Sequence, residues 1–297
     1  IGSPHLEEVV RAHPDLLKAN GCIWEAGYKD ETGHPTMYCG AKGLCYVKLT
    51  AHGANRDLHS ASAVIIESPV WKLVQALASL KDTKEQILIE GFYDDIQPPS
   101  KSELNLLNEI PYDGDLTKKM LEIDSFLLNI SDIEAVFRTL YAPSCNICGI
   151  ISGYTGEGSK TVLPSRAMVK VDFRLVPDQD PQKIYRLLQN HLKEHGFEDI
   201  EVCLLGPLWP AKTPIDNPFV AMVKEAMKTV YKLPPIVYPT MSGSGPMWLF
   251  TRKLNIPTVS IGVGDASSCP HSPNESINLI DYEEGIRALQ EIISRFK

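Results

Sequence analysis

The stretch from Ala167 to Leu205 constrains the fold of this chain more than any other. It opens with AMVKVDFRLV, which alternates with period two, placing Val169, Val171 and Phe173 on one face and Lys170, Asp172 and Arg174 on the other. A period of two is the signature of a strand buried on one side. The next segment, DPQKIYRLLQNHLKEHG, has the apolar spacing of an amphipathic helix, with an aspartate at its start and a glycine at its stop. IEVCLLG then reads as a second strand. Strand, helix and strand in this order make a sheet backed by a helix.

The remaining chain reads as further α/β structure. Ser3-Pro4 is a helix start, a hydroxyl cap with proline at the first position, and the helical pattern runs to Gly21 with a break near Pro14. CIWEAG is a short strand, and TMYCG and LCYVKLTAHG are two more. Ser68-Pro69 caps a helix, VWKLVQALASL, and QILIEGF follows as a strand. From about Gln97 to Asp124 the chain is polar and proline-containing, an insertion with short helical pieces. After the proline-rich PLWPAKTP come the helical NPFVAMVKEAMKTVY and GPMWLFTRKLN, the apolar strand PTVSIGVG and a last helix from Asp281. The pattern predicts two α/β modules, the middle one inserted into the other.

Composition narrows the function classes. At 297 residues the chain can bury a large core, and 43% hydrophobic with 22% charged residues is the balance of a globular protein. A formal charge of −8 argues against nucleic acid or an anionic membrane surface as partner, because both call for a basic face. No apolar run approaches the roughly 20 residues of a membrane span, and no signal peptide is read at the start. Seven cysteines, odd in number and set among apolar residues, read as reduced thiols in a cytoplasmic protein. Cys145-Asn-Ile-Cys148 has no second pair to complete a zinc ribbon, which favours two half-buried thiols.

Several polar residues stand at strand ends, where open α/β sheets place their ligands. Glu25 closes CIWE, either solvated in a loop or pointed into a cleft as a metal ligand. His59, in NRDLHSAS, is a surface histidine or a catalytic one. Arg174 is placed to fork onto a carboxylate, with a structural pair to the neighbourhood of Asp172 as the equal alternative. Thr161 could donate a hydroxyl to the same anion. The glycine-rich MSGSGP carries Ser244 and offers either an anion-binding turn or simply a tight turn. It does not meet the G-x-S-x-G pattern of a serine hydrolase. His271, in SSCPHSPNES, follows the apolar strand PTVSIGVG.

Taken together and in this order, IGSPHL, CIWEAGYKDETGHPT, GAKG, NRDLHSA, GFYDDIQPPS, KTVLPSRAMVKVDFRLVP, MSGSGP and PHSPNES resemble a zinc metallopeptidase family. Its members are carnosinase-type dipeptidases, glutamate carboxypeptidase, aminoacylase, acetylornithine deacetylase and succinyl-diaminopimelate desuccinylase. The spacing from Thr161 to Arg174 and the long insertion after GFYDD resemble the dipeptidase branch. The resemblance implies an α/β fold: part of a zinc-peptidase catalytic domain at residues 1–41 and 209–297, with an inserted ferredoxin-like α+β lid and dimerisation domain at 42–208. It implies Glu25 and His271 as ligands of a two-zinc site, with cobalt or manganese as alternatives. His59 would stabilise the oxyanion in the neighbouring subunit's site of a homodimer. Thr161 and Arg174 would hold the substrate carboxylate, and Ser244 would touch substrate. The substrate would be a dipeptide, or an N-acyl amino acid if the chain is a deacylase.

The family's strand-end metal-binding H-x-D, its bridging aspartate and its Glu-Glu pair find no counterpart here: the one H-x-D, His13-Pro14-Asp15, falls at the break in the N-terminal helical pattern, and Glu7-Glu8 lie inside that helix. Catalytic zinc normally keeps three protein ligands. The expectation is therefore that the chain supplies only part of the site and is inactive alone, with a non-catalytic dimerising fragment as the other reading.

Overall fold

The computed structural model describes residues 3–265, 267–270 and 272–296. The chain divides into two compact units, one of Ile1–Lys42, Pro98–Ala142 and Pro210–Lys297, the other of Gly43–Gln97 and Pro143–Trp209. The helices are α1 (Leu6–Ala12), α2 (Pro69–Leu80), α3 (Lys101–Leu107), α4 (Gly114–Leu121), α5 (Asp132–Tyr141), α6 (Pro181–Glu194), α7 (Pro218–Val230) and α8 (Leu279–Arg295). The strands are β1 (Cys22–Glu25), β2 (Thr36–Tyr38), β3 (Gly40–His52), β4 (Leu58–His59), β5 (Ser144–Ser152), β6 (Val162–Leu163), β7 (Arg166–Leu175), β8 (Glu201–Leu204), β9 (Ala211–Lys212), β10 (Ile236–Tyr238), β11 (Met241–Ser244) and β12 (Thr258–Ile261). No helix among the described residues is long and apolar enough to cross a membrane.

The second unit is built around the alternating strand. β7 pairs antiparallel with β3 without a break from Gly43↔Leu175 to His52↔Arg166, with β8 on the far side of β3 and β5 on the far side of β7. With α2 and α6 as crossovers, the main elements run β-α-β-β-α-β, the split βαβ arrangement of ferredoxin-like domains. Val169, Val171 and Phe173 are fully buried, as the period predicts, and pack with Leu73, Leu80, Ile184 and Leu188 of the helices. Asp180 caps α6 by accepting the Gln182 N–H at 2.7 Å. QILIEGF does not form a strand. Among the described residues its only ladder contact is one isolated bridge, Lys81↔Ile87, and Gly91 turns the chain at φ +75°. Ile87, Ile89 and Phe92 are buried in the core, so the apolar run records burial and not pairing.

In the first unit the sheet order is β1-β12-β2-β10, parallel except where β12 meets β2. Val223 and Met227 of α7 and Ala288 and Ile292 of α8 pack on Met37, Val259 and Ile261. β9 and β11 pair with the first residues of β3, Ala41↔Ala211 and Lys42↔Ser244. The segment 98–142 groups with this unit, where the expected boundaries put it in the inserted domain. Its apolar residues explain the difference: Leu107, Ile110, Val136 and Leu140 bury against Ile236. Glu103, buried at the start of α3, also pairs with Lys212 at 2.9 Å. Two helix starts differ from expectation. α1 begins at Leu6 without a side-chain cap, and Ser68 makes no capping bond to α2. GPMWLFTRKLN forms a single widened turn, Leu249–Lys253, and not an α-helix.

Candidate functional site

In the first unit, β1 and β12 run parallel and end together, with Glu25 opposite Ile261. Their C-terminal edge is where a parallel sheet delivers side chains to a ligand. Glu25 is exposed there. The two chain segments leaving these strands stay joined: the Lys29 N–H donates to the Gly264 carbonyl at 2.8 Å, and Tyr28 bridges Gly264. A β-carbon on Gly27 would stand 2.7 Å from the Gly262 nitrogen, so only glycine allows this approach. Beyond it, the carboxylate of Asp265 accepts from the Ser267 hydroxyl and N–H, both at 2.6 Å. The Ser267 hydroxyl above all, with its N–H, holds that carboxyl below its usual range. His271 lies outside the described residues. Ser244 ends β11 beside Lys42, a buried lysine whose Nζ donates to the Ala142 carbonyl at 2.7 Å. That carbonyl closes α5, and a cation at a helix C-terminus is favourable.

In the second unit, β4 and β6 continue the β3–β7 ladder past Arg166, pairing His59 with Val162. The Ser60 N–H donates to the Thr161 carbonyl at 3.2 Å, so His59 and Thr161 are neighbours. Asp57 ties the turn down by accepting the Ser165 N–H and hydroxyl at 2.8 and 2.9 Å. The His59 Nδ1 accepts the Ala61 N–H at 3.1 Å. A backbone N–H can only donate, so the neutral ring carries its proton on Nε2, where it is a donor for an anion.

Arg174 stands at the opposite end of β7. Its Nε donates to Asp172 Oδ2 at 3.1 Å, so the structural pair weighed against a binding role is present. From Arg166 to Arg174 an extended strand covers roughly 27 Å. The structure thus brings His59 and Thr161 together and holds Arg174 apart from both. Among the described residues, no three of His, Cys, Asp and Glu stand together as a metal cage. Glu25 is a single carboxylate, short of the three protein ligands of a catalytic zinc. The described residues do not by themselves fit a metal site.

The sequence assigns no role to Lys42 or Asn146, and marks Cys148 only as a half-buried thiol. Lys42 sits in GAKG, and nothing local marks its lysine as buried. Cys145 and Cys148 are both free thiols; Cys145 is half-buried as expected, but Cys148 is exposed, because it stands on the open edge strand β5.

The comparisons with known proteins agree with this architecture. The profile of the M20 peptidase dimerisation domain matches residues 39–200. The chain belongs to the M20 peptidase family. It is 27% identical to the Beta-Ala-His dipeptidase of Rattus norvegicus over 297 residues, which is 96% of this chain and 59% of that protein. It is also 27% identical to the Cys-Gly metallodipeptidase DUG1 of Saccharomyces cerevisiae over 303 residues, 97% of this chain and 61% of that protein. Among solved structures, the M20 family metallo-carboxypeptidase Sso-CP2 from Sulfolobus solfataricus matches with a TM-score of 0.93 and 37% identity, covering 98% of this chain and 67% of that one. The chain thus spans about three fifths of the length of the curated relatives it matches.

Proposed function

We propose that this chain carries the substrate-holding and dimer-forming parts of a metal-dependent peptidase acting on dipeptides or similar small carboxylate-bearing substrates. The observation that carries this reading is the likeness to two dipeptidases along 96% and 97% of the chain, through both units. In this reading Arg174 forks onto the substrate's carboxylate, and Ser244 touches the substrate from β11. The Nε2–H of His59 donates to the oxyanion of the tetrahedral intermediate, with Thr161 beside it. Glu25 and His271 contribute to a metal site for zinc, or for cobalt or manganese. The donor count above supports a further part of the proposal: the chain supplies only some of the ligands and turns over no substrate by itself. A reducing, cytoplasmic setting belongs to the same reading.

The partner in this proposal is a second copy. β5 is an edge strand, and it exposes Ile147, Ile150 and Ile151 at 47%, 56% and 64%. Trp71 and Val74 of α2 are also exposed. An open edge with apolar side chains is a template for strand pairing. The ladder geometry supports the same partner, because one small substrate cannot span roughly 27 Å of strand. His59 and Thr161 of one copy can serve a site whose Arg174 belongs to the other.

The test is hydrolysis of β-alanyl-histidine and cysteinyl-glycine against N-acetyl and N-succinyl amino acids, with zinc, cobalt or manganese added. Cleavage of acylated amino acids but not dipeptides would replace the peptidase reading with a deacylase. Zinc titration of the chain alone should show weak binding and no turnover. Stoichiometric zinc together with turnover abolished by His271→Ala would sink the partial-site reading. A second reading, a dimerising chain without catalysis, is favoured by the lack of three metal-capable side chains together among the described residues, and unchanged failure of every substrate after further ligands are supplied in trans would select it.

A further inference from the structure

We propose that Asp172 is a positioning residue that orients the Arg174 guanidinium for a planar carboxylate, and that the bulged edge strand β5 is built to hold Asp172 in place. This rests on the reading of Arg174 as the carboxylate holder. Asp172 is only 7% exposed, and an ionised carboxylate at that depth is costly unless it is well partnered. Three side chains surround it. Asn146 donates its Nδ2 to Oδ1 at 3.0 Å, Cys148 approaches the same oxygen with its Sγ at 3.3 Å, and the Arg174 Nε donates to Oδ2 at 3.1 Å.

The bulge explains how two residues of one strand reach one carboxylate. Asn146 is paired with Asp172 and Ile147 with Val171, but Lys170 is paired with Gly149. In an unbroken ladder position 148 would face Lys170. The register shift leaves Cys148 unpaired in the ladder and turned to Asp172 instead. Burial, and then the neighbouring Asp172, push the Cys148 thiol up, which keeps its hydrogen available to the carboxylate. Arg174 is half-exposed while Asp172 is not, so the acid anchors and the arginine presents. With Nε engaged, the guanidinium plane is fixed, and a fixed fork loses less freedom on meeting a carboxylate. A lysine could not be oriented in this way.

Two measurements test the role. The first is calorimetric binding of a dipeptide and of its C-terminal amide to the chain. Asp172→Asn, which keeps the shape and removes the charge, should weaken the dipeptide about tenfold and leave the amide unchanged. Asp172→Asn added to Arg174→Ala should do no further harm, since the two act as one unit. The second is the Arg174 Nε–H resonance, which should exchange slowly in the wild type and fast in Asp172→Asn. Cys148→Val gives a milder, folded variant, expected to weaken the dipeptide by about two- to threefold, with Cys148→Ser restoring it. An unchanged Nε–H signal, or equal loss for dipeptide and amide, overturns the positioning role. If Arg174→Ala itself leaves the dipeptide preference intact, the carboxylate reading fails while the Asp172 contact can still be read from the resonance.

Discussion

Lys29 shows how much one side chain can hold without announcing itself. Its Nζ lies 2.5 Å from Asp281 Oδ1 and 2.5 Å from Glu284 Oε2, and above the Tyr231 ring. Both carboxylates are buried, so removing the ammonium leaves two charges without it. Lys29→Met should cost about 3 kcal/mol in urea unfolding, with much of the loss recovered when Asp281→Asn and Glu284→Gln are added. Burial opposes the charge on Lys29, but the two carboxylates outweigh it and raise the group. Its stabilising contribution is therefore full below its ordinary value of 10.5 and lost only as the pH rises through the raised one. His191 works in the opposite sense. Burial first, then His195, lower it from 6.5, while the ring keeps a hydrogen bond with the Ser79 hydroxyl at 3.0 Å. The unfolded chain then takes up the proton more readily, so stability present above pH 6.5 should fall as the pH drops below it. Urea titrations at pH 7 and 5 should show a smaller difference for His191→Gln. Neither role could be read from the sequence, because Lys29 meets its partners 252 and 255 residues away.

At the scale of elements, legibility followed burial pattern. β7 and α6 were plain because each is buried on one side and keeps its period. β5 was missed for the converse reason: its apolar residues sit on an open edge, and the bulge at Cys148 breaks the alternation. QILIEGF was misread because an apolar run reports burial, and here a turn is what is buried. The site divided along similar lines. Asp172-x-Arg174 could be seen on the polar face of β7, whereas the separation of Arg174 from Thr161 needed the ladder. Two predictions belong at this scale. Ile151→Lys on β5 should shift sedimentation from dimer to monomer without lowering the melting temperature of the monomer. Gly27→Ala should destabilise the chain by about 1–3 kcal/mol in thermal melts, since the opposing strand exit at Gly262 has no room for a β-carbon.

For the whole molecule, the ferredoxin-like unit and the match to the M20 dimerisation profile coincide on the chain, which is where the proposed pairing with a second copy would act. The segment 98–142 shows that a long insertion need not stay with the domain from which it emerges, since its apolar residues pack on β10. The ladder that sets His59 and Thr161 at one end and Arg174 at the other has a consequence for genetics. If each site takes His59 from one subunit and Arg174 from the other, two inactive alleles can rescue each other. Co-expressed His59→Ala and Arg174→Ala chains would form mixed dimers in which both lesions fall in one site and the other site is whole. Random pairing should return roughly a quarter of the wild-type sites, whereas sites contained within single chains would return none. A protein arranged in this way is inherited as a pair, and a damaged copy can be masked by a differently damaged one.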